Sequence, residues 1–163
     1  MRALLAFLDI EIIAHPLIYS NVFATSSCFT NGHMSFMGTI VPKQDEENQP
    51  TALSEKVFAQ LQDYFAGRRT AFSLPYKFSG TEFQQQVWAQ IAKIPYGQTV
   101  TYKDIAQAIE KPRAFQATGR AVGANPLSII IPCHRVVGSS GDLTGYAFGL
   151  EMKKSLLKLE SSL

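Results

Sequence analysis

The residues that could carry chemistry lie around Cys133, in the segment Pro132-Cys-His-Arg135. A cysteine attacks as its thiolate, and a free thiol with a pKa of ~8.5 is mostly protonated at neutral pH. His134 and Arg135 are the neighbouring groups that could favour the thiolate. Because neighbours in an extended segment point to opposite faces, His134 reaches the thiol only through a water or a turn at Pro132. The alternative interpretation is a buried, inert cysteine beside a surface histidine.

The two cysteines, Cys28 and Cys133, predict neither a disulfide framework nor a metal site. They lie far apart in different sequence contexts, which favours a reducing compartment. A four-ligand zinc site would need both of them with two of His15, His33 and His134, a spacing that matches no common zinc-finger pattern. We therefore expect no metal and assign Cys28 no role.

The segments on either side of Cys133 predict how it is held in place. Leu127-Ser-Ile-Ile-Ile131 is an apolar run typical of a buried strand. A turn over 139–142 and a helix over about 149–160 are expected after it. Cys133 should therefore sit at the end of a buried strand, where the chain meets solvent.

Two short helices with a tight break between them are predicted upstream of this strand. Thr101, with Asp104 three residues on, indicates the start of the first helix, and Lys111-Pro112 ends it. The second helix is expected over about 113–124. This pattern is typical of a helix-turn-helix, whose second helix contacts DNA. An ordinary pair of packed helices is the alternative.

Further elements are predicted nearer the N-terminus. Ser79, with Glu82 three residues on, indicates a capping box at the start of another helix. In the first half of the chain, Asn31-Gly32 predicts a β-hairpin, and apolar spacing predicts a helix over about 51–66.

The predicted fold class is α+β, in two domains. Residues 1–78 form a small N-terminal domain with a β-sheet and a helix, and residues 79–163 form a mostly helical domain with the helix-turn-helix and the buried strand. Six basic against seven acidic residues give the first half a net charge of −1, and nine against six give the second half +3. That asymmetry directs the search for nucleic-acid contacts to the second half without identifying them by itself.

The overall composition is that of a globular protein, with 46% hydrophobic and 17% charged residues. No apolar run approaches the eighteen or so residues of a membrane span. We expect a cytoplasmic monomer without a membrane partner.

Several motifs of the second half lie in one frame that runs without a gap from about Ser79 to Glu160. They include Pro95-Tyr-Gly-Gln-Thr-Val-Thr-Tyr102, Asn125-Pro126, Pro132-Cys-His-Arg-Val136 and Gly145-Tyr146. This frame resembles the O6-alkylguanine-DNA alkyltransferases (methylated-DNA–protein-cysteine methyltransferases).

The resemblance implies a role for each matching residue. Cys133 is the acceptor thiolate, His134 the base that deprotonates it through a water, and Glu160 the carboxylate that orients His134. Asn125 braces the backbone around the site, and Tyr102 contacts the target phosphate and gives a proton to the leaving guanine. The implied DNA-contacting residues are Thr101, Tyr102, Gln116, Ala117, Arg120 and Arg135, and the implied pocket walls are Val136, Tyr146, Ala147 and Phe148.

The resemblance also implies an activity, the repair of double-stranded DNA. The protein would extrude the damaged base and transfer an alkyl group, such as methyl, from O6-alkylguanine irreversibly to Cys133, with O4-alkylthymine as a second substrate. No cofactor is implied, and one molecule would repair one lesion.

Two positions depart from the family pattern. Gln116 stands where an arginine fills the gap left by the extruded base, so we expect a weaker insertion. Phe148 stands where a glycine is usual, so we expect a narrower pocket.

Two alternative functions stay open. One is a non-catalytic alkyltransferase-like protein that marks lesions, against which Cys133 argues, and the other is a Cys-His hydrolase unrelated to DNA.

Overall fold

The computed structural model describes residues 28–30, 33–35 and 52–161. Contacts divide the chain into two compact units between Lys77 and Phe78. The described part is helix-rich, with an antiparallel strand pair in the first unit and a small parallel sheet in the second. No helix in these ranges combines the length and the apolarity that a membrane crossing requires.

The predicted hairpin is present in the first unit. Strand β1 (Cys28–Thr30) pairs antiparallel with β2 (His33–Ser35), on either side of the Asn31-Gly32 signal. The remainder of the predicted N-terminal sheet, together with His15, falls outside the described residues.

One helix, α1 (Ala52–Phe65), completes the described part of the first unit. Val57, Leu61 and Tyr64 on its inner face are buried, at the spacing expected of an amphipathic helix. Gly67 follows in the left-handed region, with φ +70°, which a glycine adopts without steric cost at a helix end.

Helix α2 (Glu82–Ile91) opens the second unit, and its start differs from the prediction. The N-cap is Thr81, whose hydroxyl accepts from the backbone N–H of Gln84, while the Gln84 side chain accepts from the Thr81 N–H. The capping box therefore lies two residues after the predicted Ser79, and that prediction was wrong.

Packing around Trp88 explains the later start. Gly80 lies so close to this ring that an added Cβ would come within 2.7 Å of it, so the chain before Thr81 runs across the indole. The indole N–H donates to the carbonyl of Ala121 at 2.8 Å, which ties α2 to a helix further along the chain.

The predicted pair of short helices is formed by α3 (Tyr102–Ala108) and α4 (Phe115–Gly123). Thr101 caps α3 as predicted: its hydroxyl accepts from the Asp104 N–H, and the Asp104 carboxylate accepts from the Thr101 N–H at 2.8 Å. Helices α2, α3 and α4 pack against one another. The side chains buried on the helix pair are Ile105, Ala106, Thr118, Ala121 and Val122.

The strand predicted over Leu127–Ile131 is not formed. Turns occupy this segment, with one isolated bridge between Ser128 and Ile131, and Ile129 has φ +74°. Leu127, Ile130 and Ile131 are nevertheless buried. The apolar run indicated burial correctly, but burial alone does not distinguish a strand from another buried conformation.

Cys133 lies in a turn of 3-10 helix, Cys133–Arg135, rather than at a strand end. A short strand, β4 (Val136–Val137), follows this turn and pairs parallel with β3 (Val100–Thr101), directly before α3. The sheet therefore joins the cysteine segment to the start of the helix pair.

The last helix, α5, spans Leu150–Ser161, close to the predicted range. Its buried positions are Lys153, Leu156 and Glu160, a helical spacing that places all three on one face. Two of these three residues are ionisable, which is unusual for a buried face unless the charges have partners.

Candidate active site

The Cys133 thiol is nearly enclosed, with 5% of the residue exposed. Its Sγ lies 3.9 Å from the hydroxyl of Ser128. Burial raises the pKa of the thiol, while hydrogen bonds from Asn125 and Ser128 and the charge of Lys153 act in the opposite direction. Since the net effect is a raised pKa, the thiol is protonated at neutral pH and needs a base to become a nucleophile.

His134 is fully buried and paired with Glu160. Its Nε2 lies 2.8 Å from Oε1 of the carboxylate. Burial lowers the pKa of His134, although Glu160 acts to raise it, so the ring is neutral near pH 7. A neutral ring beside a carboxylate carries its proton on Nε2, which makes Nδ1 the nitrogen with a lone pair. This tautomer suits a general base.

Glu160 is held by more than His134. The Arg135 guanidinium donates to both carboxylate oxygens at 2.8 Å, and the Gly97 N–H donates to Oε2 at 3.1 Å. With four donors on a buried carboxylate, its position and charge are fixed. The arrangement brings together residues that lie 26 positions apart, as the resemblance implied for His134 and Glu160.

Arg135 does not fit the DNA-contacting role implied for it. The residue is 5% exposed, and besides its bonds to Glu160 it donates to the Ile94 carbonyl at 2.6 Å. Its guanidinium also lies over the Tyr96 ring, 5.7 Å from the centroid. A guanidinium occupied in this way neutralises an internal carboxylate and is not available to a phosphate.

Asn125 braces the turn that precedes Cys133. Its amide nitrogen donates to the Ile131 carbonyl at 2.7 Å, and its side-chain oxygen accepts from the Leu127 N–H at 3.1 Å. Both bonds close the loop between α4 and the 3-10 turn, which is the bracing that the resemblance implied.

Lys153 is a site residue that the sequence reasoning missed. It is fully buried, and its Nζ donates to the carbonyls of Val136 at 2.6 Å and Thr144 at 2.8 Å. Burial lowers the pKa of its ammonium, whereas the nearby Cys133 acts to raise it. The ammonium thus holds the segment after the 3-10 turn against the loop before α5. A lysine at an inward position of the predicted last helix was the available signal.

Tyr102 lies beside the same loop. Its hydroxyl donates to the Thr144 carbonyl at 3.0 Å, and the Lys153 ammonium lies 6.0 Å from its ring centroid. Burial raises the pKa of this phenol. Thr101, which the resemblance implied as a DNA contact, is half-buried and serves as the N-cap of α3.

The other implied DNA-contacting residues lie on α4. Gln116 and Arg120 are exposed and one turn apart, and Ala117 is half-buried. None of the three belongs to the buried group that we call the Cys133 cluster, which consists of Cys133, His134, Arg135 and Glu160. The exposed surface of α4 and the cysteine site are therefore distinct features of the second unit.

The implied pocket walls differ among themselves. Val136 is fully buried, Tyr146 is half-buried and Ala147 is exposed. Phe148 is 59% exposed and meets Tyr146 edge-on, with ring centroids 5.8 Å apart. The wall of an open pocket is itself exposed to solvent, so this exposure does not test the expected narrowing by Phe148, which stays a prediction.

Within the described ranges, no group of three or more His, Cys, Asp or Glu side chains is arranged to hold a metal ion. The chemistry that the cluster can perform is proton removal from a buried thiol by a neutral imidazole, with a fixed carboxylate to stabilise the resulting cation.

Two family models match the chain. Residues 82–162 match the family model "6-O-methylguanine DNA methyltransferase, DNA binding domain", and residues 28–78 match "6-O-methylguanine DNA methyltransferase, ribonuclease-like domain".

Similar curated proteins carry the matching name. The methylated-DNA–protein-cysteine methyltransferase of Methanosarcina barkeri is 55% identical over 103 residues, which is 63% of this chain and 65% of the relative. The inducible methylated-DNA–protein-cysteine methyltransferase of Bacillus subtilis is 46% identical over 125 residues, 77% of this chain and 66% of the relative. The chain thus spans just under two thirds of the length of these relatives.

A solved structure is similar over more of the chain. The crystal structure of Mycobacterium tuberculosis OGT in complex with DNA has a TM-score of 0.73 and 39% identity, and the match covers 83% of this chain and 85% of that one. The chain belongs to the 6-O-methylguanine DNA methyltransferase family.

Proposed function

We propose that this chain repairs double-stranded DNA by transferring an alkyl group, such as methyl, from O6-alkylguanine to Sγ of its own Cys133. The observation that carries the proposal is the buried thiol beside a histidine whose Nε2 is bonded to a buried carboxylate. The names of the relatives and the DNA in the similar OGT structure support the same substrate.

The chemical step begins with proton removal from Cys133. Because burial keeps the thiol protonated, His134 accepts its proton on Nδ1 through a water, and Glu160 stabilises the resulting imidazolium. The sulfur attacks the alkyl carbon, the bond from that carbon to O6 breaks, and the electron pair leaves with guanine. Tyr102 gives guanine a proton and is restored through solvent by the proton that Cys133 lost.

Single turnover follows from the product. The new carbon–sulfur bond is a thioether, and reversing it would need a stronger nucleophile than any in the Cys133 cluster. The protein is therefore consumed by the reaction that it promotes.

The remaining elements are proposed to present the base to Cys133. A base cannot react at O6 inside the stack, so it is extruded at a cost of a few kcal/mol. We assign the helix-turn-helix to α3 and α4, with α4 as the helix that enters a groove of the duplex. Gln116, Ala117 and Arg120 on α4, with Thr101 and Tyr102 at the start of α3, would contact the DNA strand.

We propose separate roles for the two domains. Residues 79–163 bind DNA and transfer the alkyl group, and residues 1–78 form a separate small α/β domain. O4-alkylthymine as a second substrate, the monomeric state and the cytoplasmic location stay predictions from the sequence.

Intact-mass analysis tests the function directly. After mixing with a duplex that contains one O6-methylguanine, the protein should gain the mass of one methyl group, located on the peptide that carries Cys133. Cys133→Ser should bind the duplex and gain nothing, whereas Cys28→Ser, the matched control, should gain one methyl.

Two outcomes would contradict the proposal. Methyl transfer that persists in Cys133→Ser would show that Cys133 is not the acceptor. Repeated turnover on ester or peptide substrates, without modification of the protein, would favour a Cys-His hydrolase.

A further inference from the structure

The first residue of α4, Phe115, exposes 53% of its surface. A single exposed phenylalanine is ordinary on a protein surface. Its position is less ordinary, because it begins the helix proposed to enter the DNA groove and is followed directly by Gln116. Side chains in the first turn of a helix point back toward its N-terminus, so neighbouring side chains there can reach the same structure beyond the helix end.

The charges around Phe115 favour a polyanion. The stretch from Lys111 to Ala124 contains three basic residues and no acidic one. Lys111 is occupied, since its ammonium donates to Gln86 and lies over the Phe83 ring. Arg113 and Arg120 are exposed on either side of Phe115 in sequence. Exposed cations before and after an exposed ring along the chain match the composition of nucleic-acid surfaces, in which cations contact phosphates and an apolar or aromatic side chain stacks on bases.

Gln116 by itself lacks part of what base extrusion requires. The gap left by an extruded base is stabilised by hydrogen bonds to the orphaned partner base and by stacking on the neighbouring pair. Glutamine can supply the hydrogen bonds but has no flat, extended face for stacking. Phe115, one residue earlier and exposed, has such a face.

We propose that Phe115 is the wedge that keeps the base extruded: its ring inserts at the gap and stacks on the adjacent base pair, while Gln116 bonds the orphaned base. This inference rests on the proposed function, and it divides between two residues the work that the family assigns to one arginine. It adds an insertion residue to the reaction and leaves the chemistry at Cys133 unchanged.

The test separates extrusion from chemistry by using two substrates. One is a duplex with O6-methylguanine opposite cytosine, and the other is the free base O6-benzylguanine, which needs no extrusion. At saturating duplex, Phe115→Ala should slow methyl transfer about 10- to 100-fold, the size expected when one base–aromatic stack is lost. The same variant should react with the free base within about twofold of the unchanged protein, whereas Phe115→Trp should keep most of the duplex rate.

Leu150→Ala is the matched control. Leu150 is also an exposed apolar residue at the first position of a helix, with 46% of its surface exposed, and its loss should leave both rates unchanged. A duplex with the lesion opposite an abasic site, where extrusion is easier, should recover much of the rate lost in Phe115→Ala.

The results that would overturn the inference are distinct from those that would overturn the function. If Phe115→Ala transfers methyl from the duplex at a rate within twofold of the unchanged protein, Phe115 is not the inserted wedge. Equal slowing with duplex and free base also excludes this role, because the loss then lies in the pocket or the fold. If the unchanged protein takes up neither methyl from the duplex nor benzyl from the free base on Cys133, the proposed function fails and the wedge fails with it.

Discussion

Replacing Glu160 by glutamine should separate the stability of the buried cluster from its chemistry. The Glu160 side chain is fully buried and accepts from His134, from Arg135 twice and from Gly97. Glu160→Gln keeps the shape but removes the negative charge and turns one acceptor into a donor that faces the guanidinium. Leaving a buried cation without its partner costs about 3–5 kcal/mol, against a total stability of about 5–15 kcal/mol for a typical protein.

The effect on rate has a separate cause. Glu160 acts to raise the pKa of His134, so removing its charge makes the imidazole a weaker base and releases the ring from its orientation. A positioned general base contributes about 100- to 10,000-fold to a rate. We therefore expect Glu160→Gln to slow methyl transfer at least about 100-fold at saturating duplex.

A second variant distinguishes the two effects. In Glu160→Gln combined with Arg135→Met, the unpaired buried cation, which is the main cost of the single variant, is gone. Stability should recover by about 2 kcal/mol or more, while the rate stays low. Glu151→Gln, an exposed glutamate on the same helix, is the control and should change neither.

Urea unfolding followed by circular dichroism measures stability, and single-turnover transfer measures rate. If Glu160→Gln costs less than about 1 kcal/mol, the cluster is not the buried, fully paired network on which this reasoning depends. If the double variant recovers rate along with stability, Glu160 supports the fold and has no separate part in the chemistry.

Three further predictions concern residues around the site and on α4. Lys153→Met should slow transfer at least about tenfold, since it removes the ammonium that donates to the buried Val136 carbonyl and a charge that lowers the thiol pKa. Lys154→Met, which removes an exposed charge, should not slow transfer, and equal rates in Lys153→Met and the unchanged protein would show that Lys153 is dispensable. Arg120→Ala should weaken duplex binding and reduce the dependence of log affinity on log salt concentration by about 1, without slowing transfer at saturating duplex. Gln116→Ala should slow transfer with little change in affinity. If the effects are reversed, Arg120 is the inserted residue and Gln116 the phosphate contact. Phe148→Gly should speed the reaction with free O6-benzylguanine, because it removes the ring that is expected to narrow the pocket, and equal rates in the two proteins would show that Phe148 points away from the site.

Local features were predictable from the sequence where short-range interactions decide them. The hairpin at Asn31-Gly32 and the cap of α3 by Thr101 and Asp104 each depend on residues within a few positions. The local capping signal at Ser79 lies two residues before the actual N-cap of α2, Thr81, because Gly80 packs closely against the Trp88 ring.

Cys133 was a candidate nucleophile from its neighbours in the sequence, and only the family resemblance favoured that role over an inert, buried cysteine. What those neighbours do was not evident from the sequence. His134 and Arg135 could each have faced solvent or a phosphate, and the pairing with Glu160 followed from the family resemblance rather than from the residues alone.

The tertiary structure decided which charges are buried and with what partners. Burying an ionised group is unfavourable unless a partner is brought to it from elsewhere in the chain, and that partner is invisible to local pattern. Hence Arg135, expected at the DNA surface, is buried and bonded to Glu160, and Lys153 donates to the carbonyls of two segments. The sequence by itself indicated the candidate nucleophile and the nearby helices, whereas the buried partners around it came from long-range packing of α5.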